Sequence, residues 1–260
     1  EYVTTEYLVE TDFWCSGIEF ADSVGVDVVN SSLGYTKFND PIMDYTYADM
    51  NGEVSRASRC AALAAKKGIV VCSSAGNEGN KAWHYIGAPA DAKGIITVGG
   101  VDNSGVSSTF SSYGPSSDNR VKPEICTMGT STALISTNGM PIVGNGTSYA
   151  TPLSAGGIAC LLQAIPNSTN REFLKNSLRQ TASLYPNYTD QLGYGILNFG
   201  QVLSSFLKTN EFYSQNKAII YPNPANQKIN ISSTQKIEKI SVYNSLGQFL
   251  FDSKTTKINI

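Results

Sequence analysis

Three short apolar runs constrain this chain more than any other feature: Val26-Asp27-Val28-Val29-Asn30, Ile69-Val70-Val71-Cys72 and Gly94-Ile95-Ile96-Thr97-Val98-Gly99. They do not alternate apolar with polar over their length, so each reads as a strand buried on both faces. Helical patterns precede the first and second runs. Asp12 to Val24 places Phe13, Ile18, Phe20 and Ala21 near one face, and the Ala-rich stretch Val54 to Lys67 stops at Gly68 as a C-cap. Strand–helix–strand passes with buried strands imply an α/β fold: a parallel sheet with helices on both faces. Further on, Ile142-Val143 leads into Gly146-Thr147-Ser148 and a helix to about Ala164 that Pro166 breaks; another helix is expected from about Asn170 to Thr181.

The composition changes near residue 210. From Lys217 to Ile260 there is no helical period, only short alternating segments such as Lys228-Ile229-Asn230-Ile231 and Lys239-Ile240-Ser241-Val242-Tyr243. Turn clusters at Tyr221-Pro222-Asn223-Pro224 and Asn244-Ser245-Leu246-Gly247 separate them. The expected organisation is an α/β domain over 1–208, a polar linker over 209–217 and a small, truncated β-sandwich over 218–260. Net charge is −2, from 19 Lys+Arg against 21 Asp+Glu, with no basic stripe, which gives nucleic-acid or anionic-membrane binding no electrostatic support. No apolar run approaches the roughly 18 residues of a membrane span. The five cysteines show no zinc spacing; Cys72 and Cys160, in an apolar strand and an apolar helix, read as buried thiols.

In an open α/β sheet, ligands bind where parallel strands end. Here Ser32-Leu33-Gly34, Ser74-Ala75-Gly76-Asn77 and Gly146-Thr147-Ser148 are three small-residue loops expected to converge on one edge. The last places Ser148 inside the start of an apolar helix, where free N–H groups and the helix dipole favour developing negative charge. Ser is also an ordinary helix-start residue and Asn an ordinary turn residue, so each position alone has a purely structural reading.

Together these motifs resemble the subtilisin-like serine proteases, the subtilases. Gly146-Thr147-Ser148-Tyr149-Ala150-Thr151-Pro152 resembles the family's nucleophile signature, with Tyr149 where Met is usual. Ser74-Ala75-Gly76-Asn77-Glu78-Gly79 resembles the oxyanion loop, Ser32-Leu33-Gly34 the strand that pairs with substrate, and Gly87-Ala88-Pro89 the floor of the primary specificity pocket, with a cis bond before the proline. Ser111 to Pro115, Lys122 to Ile125 and Gly193 to Asn198 extend the likeness over about residues 10–207; Thr127-Met128-Gly129 departs from the usual Ala-Pro-Gly. The resemblance implies Ser148 and Asn77 as catalytic groups, with Ser32, Leu33, Gly34, Ser74, Ala75, Gly76 and Gly87 lining a pocket for a large apolar or aromatic side chain.

The family's Asp and His precede the Ser-Leu-Gly strand, and residues 1–30 contain no His. The only histidine, His84, follows Asn77 in a Trp-His-Tyr loop expected at the pocket rim, and Asp12, Asp22 and Asp27 lack the family context. The missing Asp and His are therefore expected in an upstream segment, leaving this chain inactive alone. The tail, through Tyr221 to Ala225 and Ile240 to Gln248, resembles the C-terminal sorting domain of type IX secretion in the Bacteroidetes. The resemblances imply a secreted or cell-surface endopeptidase with peptide or protein substrates, exported through its tail by the secretion machinery. They imply no organic cofactor; relatives hold structural Ca²⁺, but no Asp-rich loop here argues for it. The alternative is a secreted non-catalytic pseudoprotease or adhesin, with the tail as a glycan-binding appendage.

Overall fold

The computed structural model describes residues 5–165, 171–207, 218–233 and 236–259. The expected linker at 209–217, the helix break at Pro166 and the helix start at Asn170 fall outside them. The chain forms two compact units, Glu1–Leu207 and Lys208–Ile260.

The first unit is built on a parallel four-stranded sheet in the order β1 (Val28–Ser31), β2 (Val70–Ser74), β3 (Ile96–Val101), β4 (Ile125–Met128). β2 and β3 are buried along their whole length, which accounts for their unbroken apolar runs. Side chains of β2 divide between the faces. Val71 packs with α1 (Glu10–Ser23) and α2 (Arg56–Lys67), among Trp14, Ile18, Ala57, Ala61 and Ala64. Val70 and Cys72 pack with α3 (Thr147–Ala164), α4 (Arg171–Gln180) and α5 (Phe199–Leu207), among Ile158, Leu174, Leu178 and Val202. Helices therefore cover both faces. α2 ends at Gly68, whose φ of 103° is the left-handed conformation of a glycine C-cap.

Four features differ from the sequence expectation. In α1 the inward residues are Thr11, Trp14, Cys15 and Ile18, while Phe13 and Phe20 are 67% and 69% exposed. Anchoring comes from the Trp14 indole N–H, which donates to Ser31 Oγ at 3.0 Å, and from a Cys15–Cys60 disulfide to α2. Cys72 is a buried thiol, as is Cys126, but Cys160 is exposed, because α3 turns it away from the sheet. Ile142-Val143 is not part of the parallel sheet: it lies in β6 (Pro141–Gly144), an exposed antiparallel partner of β5 (Thr132–Ile135) in a separate two-stranded sheet. Finally, α5 follows the Gly193 to Asn198 segment, in a stretch for which the sequence reading expects no helix.

A buried ion pair braces β3 against β4. Lys122 Nζ donates to Glu124 Oε1 at 2.9 Å, to Thr97 Oγ1 at 2.8 Å and to Ala92 O at 3.1 Å, and Glu124 Oε2 accepts from Thr97 N–H at 2.7 Å. Burial lowers the Lys122 ammonium pKa, and the Glu124 charge opposes that shift.

The second unit has a three-stranded sheet, β11 (Lys257–Asn259), β8 (Lys228–Ser233) and β7 (Ala218–Tyr221), and a two-stranded sheet, β10 (Phe249–Ser253) with β9 (Ile240–Tyr243), all antiparallel. Asn244 closes the β9–β10 turn, its Oδ1 accepting from the N–H groups of Leu246 and Gln248.

Candidate active site

The exits of β1 and β2 meet the start of α3. Leaving β2, Ala75 N–H donates to Val98 O at 3.0 Å, and Gly76 follows with φ of 108°. A Cβ on Gly76 would lie 2.9 Å from Ser112 Oγ, so glycine suits both the backbone angle and the space. Ser112 fixes this loop twice: its N–H donates to Gly76 O and its hydroxyl accepts from Glu78 N–H.

Thr147 opens α3 and clamps Asn77. Its backbone N–H donates to Asn77 Oδ1 at 2.9 Å and its hydroxyl lies 3.0 Å from the same oxygen, while Thr147 Oγ1 also accepts from Gly76 N–H at 3.3 Å. A backbone N–H can only donate, so it must face the amide oxygen, and the amide orientation follows. Asn77 Nδ2 is thereby turned away with both donors free, as no hydrogen bond among the described residues uses them. Its position is 3.7 Å from where a Cβ on Gly146 would sit. The backbone N–H of Ser148, in the first turn of the helix, also has no partner among the described residues.

Two further contacts hold this turn. Gly146 N–H donates to Gly129 O at 2.8 Å, at the end of β4, and Thr127 Oγ1 donates to Ala150 O at 2.6 Å. From the other side, Ser32 Oγ donates to Ser148 O at 3.1 Å. The nucleophile candidate is thus tied to three strand ends without using its own hydroxyl.

Beside it lies a cavity of about 180 Å³. Ser32, Gly34, Ser74, Ala75, Gly76, Asn77, Gly87 and Ser148 line it; Leu33 does not, being 55% exposed. Ala88–Pro89 is cis, as the resemblance implies. Sequence reasoning did not name Thr36 or Ser112 as lining residues. Ser112 gave no signal within a Ser-rich run, whereas Thr36 follows the Ser-Leu-Gly exit closely enough to have been considered. Trp83 and Tyr85 reach the cavity, while His84 between them stacks on Tyr113 with ring centroids 5.1 Å apart. The described residues contain no group of three or more His, Cys, Asp or Glu placed to share a metal ion. None of their helices is long and apolar enough to cross a membrane.

Comparison with known proteins agrees with this architecture. The chain is 33% identical over 184 residues to Subtilisin NAT of Bacillus subtilis subsp. natto, covering 70% of the chain and 42% of that protein. It is 29% identical over 185 residues to a thermostable alkaline protease of Halalkalibacterium halodurans, covering 71% and 44%. The chain thus spans less than half the length of these relatives. Among solved structures, the Prenylagaramide maturation protease PagA matches with a TM-score of 0.60 at 23% identity, covering 75% of this chain and 67% of that one. The Patellamide maturation protease PatA matches at 0.61 and 22%, covering 77% and 70%. At those identities both establish the fold alone. A secretion system C-terminal sorting domain matches residues 219–260, the mark of a secreted or cell-surface protein. The subtilase family model matches residues 10–201, and the chain belongs to that family.

Proposed function

We propose that this chain carries the nucleophile and oxyanion hole of a secreted serine endopeptidase. The observation that carries the reading is the pair of unused donors beside Ser148: Asn77 Nδ2, oriented by the Thr147 clamp, and the Ser148 backbone N–H. In the proposed reaction Ser148 Oγ attacks the scissile carbonyl carbon, and the two donors receive the oxygen as it gains charge. The base that takes the Ser148 proton gives it to the leaving amine as the tetrahedral intermediate collapses, and water, giving its own proton to the same base, then releases the acyl group from Ser148. The chemistry calls on no organic cofactor.

A general base is needed to take the Ser148 proton. His84 is a poor candidate: its ring stacks on Tyr113 and packs at a tilt against Tyr85, its Nδ1 lies 3.2 Å from Ala82 O, and it makes no hydrogen bond to Ser148. We assign the base and the carboxylate that orients it to polypeptide outside these 260 residues. The cavity then serves as the primary specificity pocket, with backbone and small side chains on its walls and Trp83 and Tyr85 on its rim. It suits a large apolar or aromatic substrate side chain; its acidic residue, Glu78, is engaged by Lys81 at 2.9 Å. The sorting tail supplies export, with the secretion machinery as its partner.

The test is hydrolysis of a chromogenic peptide by the full-length protein. Ser148→Ala should reduce it to background, and Asn77→Ala should lower kcat by about 10²–10³ with a small change in KM. The 260-residue chain alone should show no turnover. Turnover by it that disappears in Ser148→Ala would restore His84 as the base, and full activity in Asn77→Ala would remove the oxyanion assignment.

A further inference from the structure

We propose that the Ser32 side chain is a positioning residue for the nucleophile, acting through the Ser148 carbonyl that Pro152 deprives of its helical partner. The inference rests on the reading of Ser148 as nucleophile, and it gives Ser32 a role beyond lining the pocket.

Pro152 is the sixth residue of α3, well inside the helix. In a regular helix the residue at 152 would donate its N–H to the carbonyl at 148. Proline has no N–H, and its ring crowds that carbonyl. The carbonyl belongs to the residue whose hydroxyl is to react. Its partner comes from 116 residues earlier in the chain: Ser32 Oγ donates to Ser148 O at 3.1 Å, in a partly buried setting. Tyr149 and Ala150 N–H both turn back to Gly146 O, and Thr151 Oγ1 donates to Thr147 O, so the neighbouring helical groups have partners of their own.

The geometry gives this bond a specific consequence. The bond anchors the Ser148–Tyr149 peptide plane to the exit of β1, and with it the place of the Ser148 Cα and Cβ at the start of the helix, from which the side chain carries Oγ. Asn77 is fixed separately through Thr147. Ser32 therefore holds the attacking hydroxyl in register with an oxyanion hole that is already clamped. Because Ser32 also begins the Ser32-Leu33-Gly34 segment at the exit of β1, the same bond ties the nucleophile to the strand that would carry the substrate. Because the Ser32 hydroxyl is engaged by the Ser148 carbonyl, its loss should misplace Ser148 and act on kcat far more than on KM.

The test compares kcat and KM for full-length Ser32→Ala, Ser32→Thr, Ser32→Val, Pro152→Ala and Ser32→Ala/Pro152→Ala. Ser32→Ala and Ser32→Val should lower kcat by about three- to tenfold with little change in KM, the scale of one hydrogen bond, and Ser32→Thr should keep the rate. Pro152→Ala restores a backbone N–H aimed at the Ser148 carbonyl. In that background Ser32→Ala should cost less than about twofold, a non-additivity that a merely structural serine would not show. An equal loss in both backgrounds, a change confined to KM, or equal rates for Ser32→Thr and Ser32→Val would overturn the proposal. Should Pro152→Ala fail to fold, the Thr–Val comparison decides alone. Ser148→Ala separates the two levels of the reading. If it remains active, the nucleophile assignment fails; if it is dead while Ser32→Ala keeps the wild-type kcat, only the role of Ser32 fails.

Discussion

Removing the Cys15–Cys60 disulfide, by Cys15→Ser/Cys60→Ser, should destabilise the first unit by about 4 kcal/mol. The bond joins α1 to α2 across a sequence separation of 45 residues. In the chain-entropy treatment a closed loop of that length removes about 13 cal/mol/K from the unfolded ensemble, which is about 4 kcal/mol at 25 °C. A cavity adds little to this figure, because Ser nearly matches Cys in volume and Cys60 is only partly buried. Both tryptophans, Trp14 and Trp83, lie in the first unit, so their fluorescence during urea unfolding reports that unit alone. With a denaturant slope near 2 kcal/mol/M, the midpoint should fall by about 2 M, and the slope itself should rise slightly as the unfolded chain expands. Cys160→Ser, at an exposed position, is the control and should leave the midpoint in place. A shift below about 0.5 M in the double variant would refute the loop-closure argument, since it would mean that the unfolded chain already holds α1 near α2. A bond of this kind also suits an exported protein, because disulfides persist in oxidising compartments.

Two further outcomes follow from burial and from space. In the folded chain one thiol, Cys160, should react with a neutral-pH thiol reagent, and unfolding without reductant should expose two more. Cys72 and Cys126 are buried, with burial as the main cause pushing both thiols up to about 12; rapid native labelling of either would contradict the packing of the sheet. Gly87→Val in the full-length protein should turn preference from Phe towards Ala before the scissile bond, with KM for the Phe peptide rising at least tenfold. A Cβ at 87 already meets Thr36 Cγ2 at 2.9 Å, so added methyls must displace that neighbour or occupy the cavity. Unchanged selectivity would place the specificity pocket elsewhere.

What the sequence made legible was local. The buried strands could be read because β2 and β3 need apolar residues on both faces, and α2 because an Ala-rich stretch runs into Gly68. The start of α3 was readable because Gly146-Thr147-Ser148 changes the chain from loop to helix within three residues. What escaped depended on partners distant in the chain. The helical spacing groups Phe13 and Phe20 with Ile18 on one face, but the Cys15–Cys60 bond and the Trp14–Ser31 contact rotate α1 so that of these only Ile18 is buried. The β5–β6 hairpin carries apolar residues on an exposed surface, so its pattern resembles that of a buried strand. The orientation of the Asn77 amide was invisible, because the group that decides it is 70 residues away.

The open side of the site follows from which strand edges are already used. At the β4 edge, Cys126 bridges Ile196 and its N–H donates to Gly195 O, so that edge is occupied. At the other edge, β1 pairs only with β2 among the described residues. Next to β1 the outward face of α3 presents Pro152, Leu153, Gly156, Ala159 and Cys160, without a charge. An unpaired parallel edge beside an uncharged helix face is costly to leave in water, and a further strand with its own helix would cover both. On the proposed reading, the base and its carboxylate arrive by this route. The segment would enter next to Ser32, whose hydroxyl already holds Ser148. Delivery from the β4 side would have to displace the Gly195–Ile196 segment first, so a full-length structure with the histidine arriving there would defeat this assignment while leaving the oxyanion hole untouched.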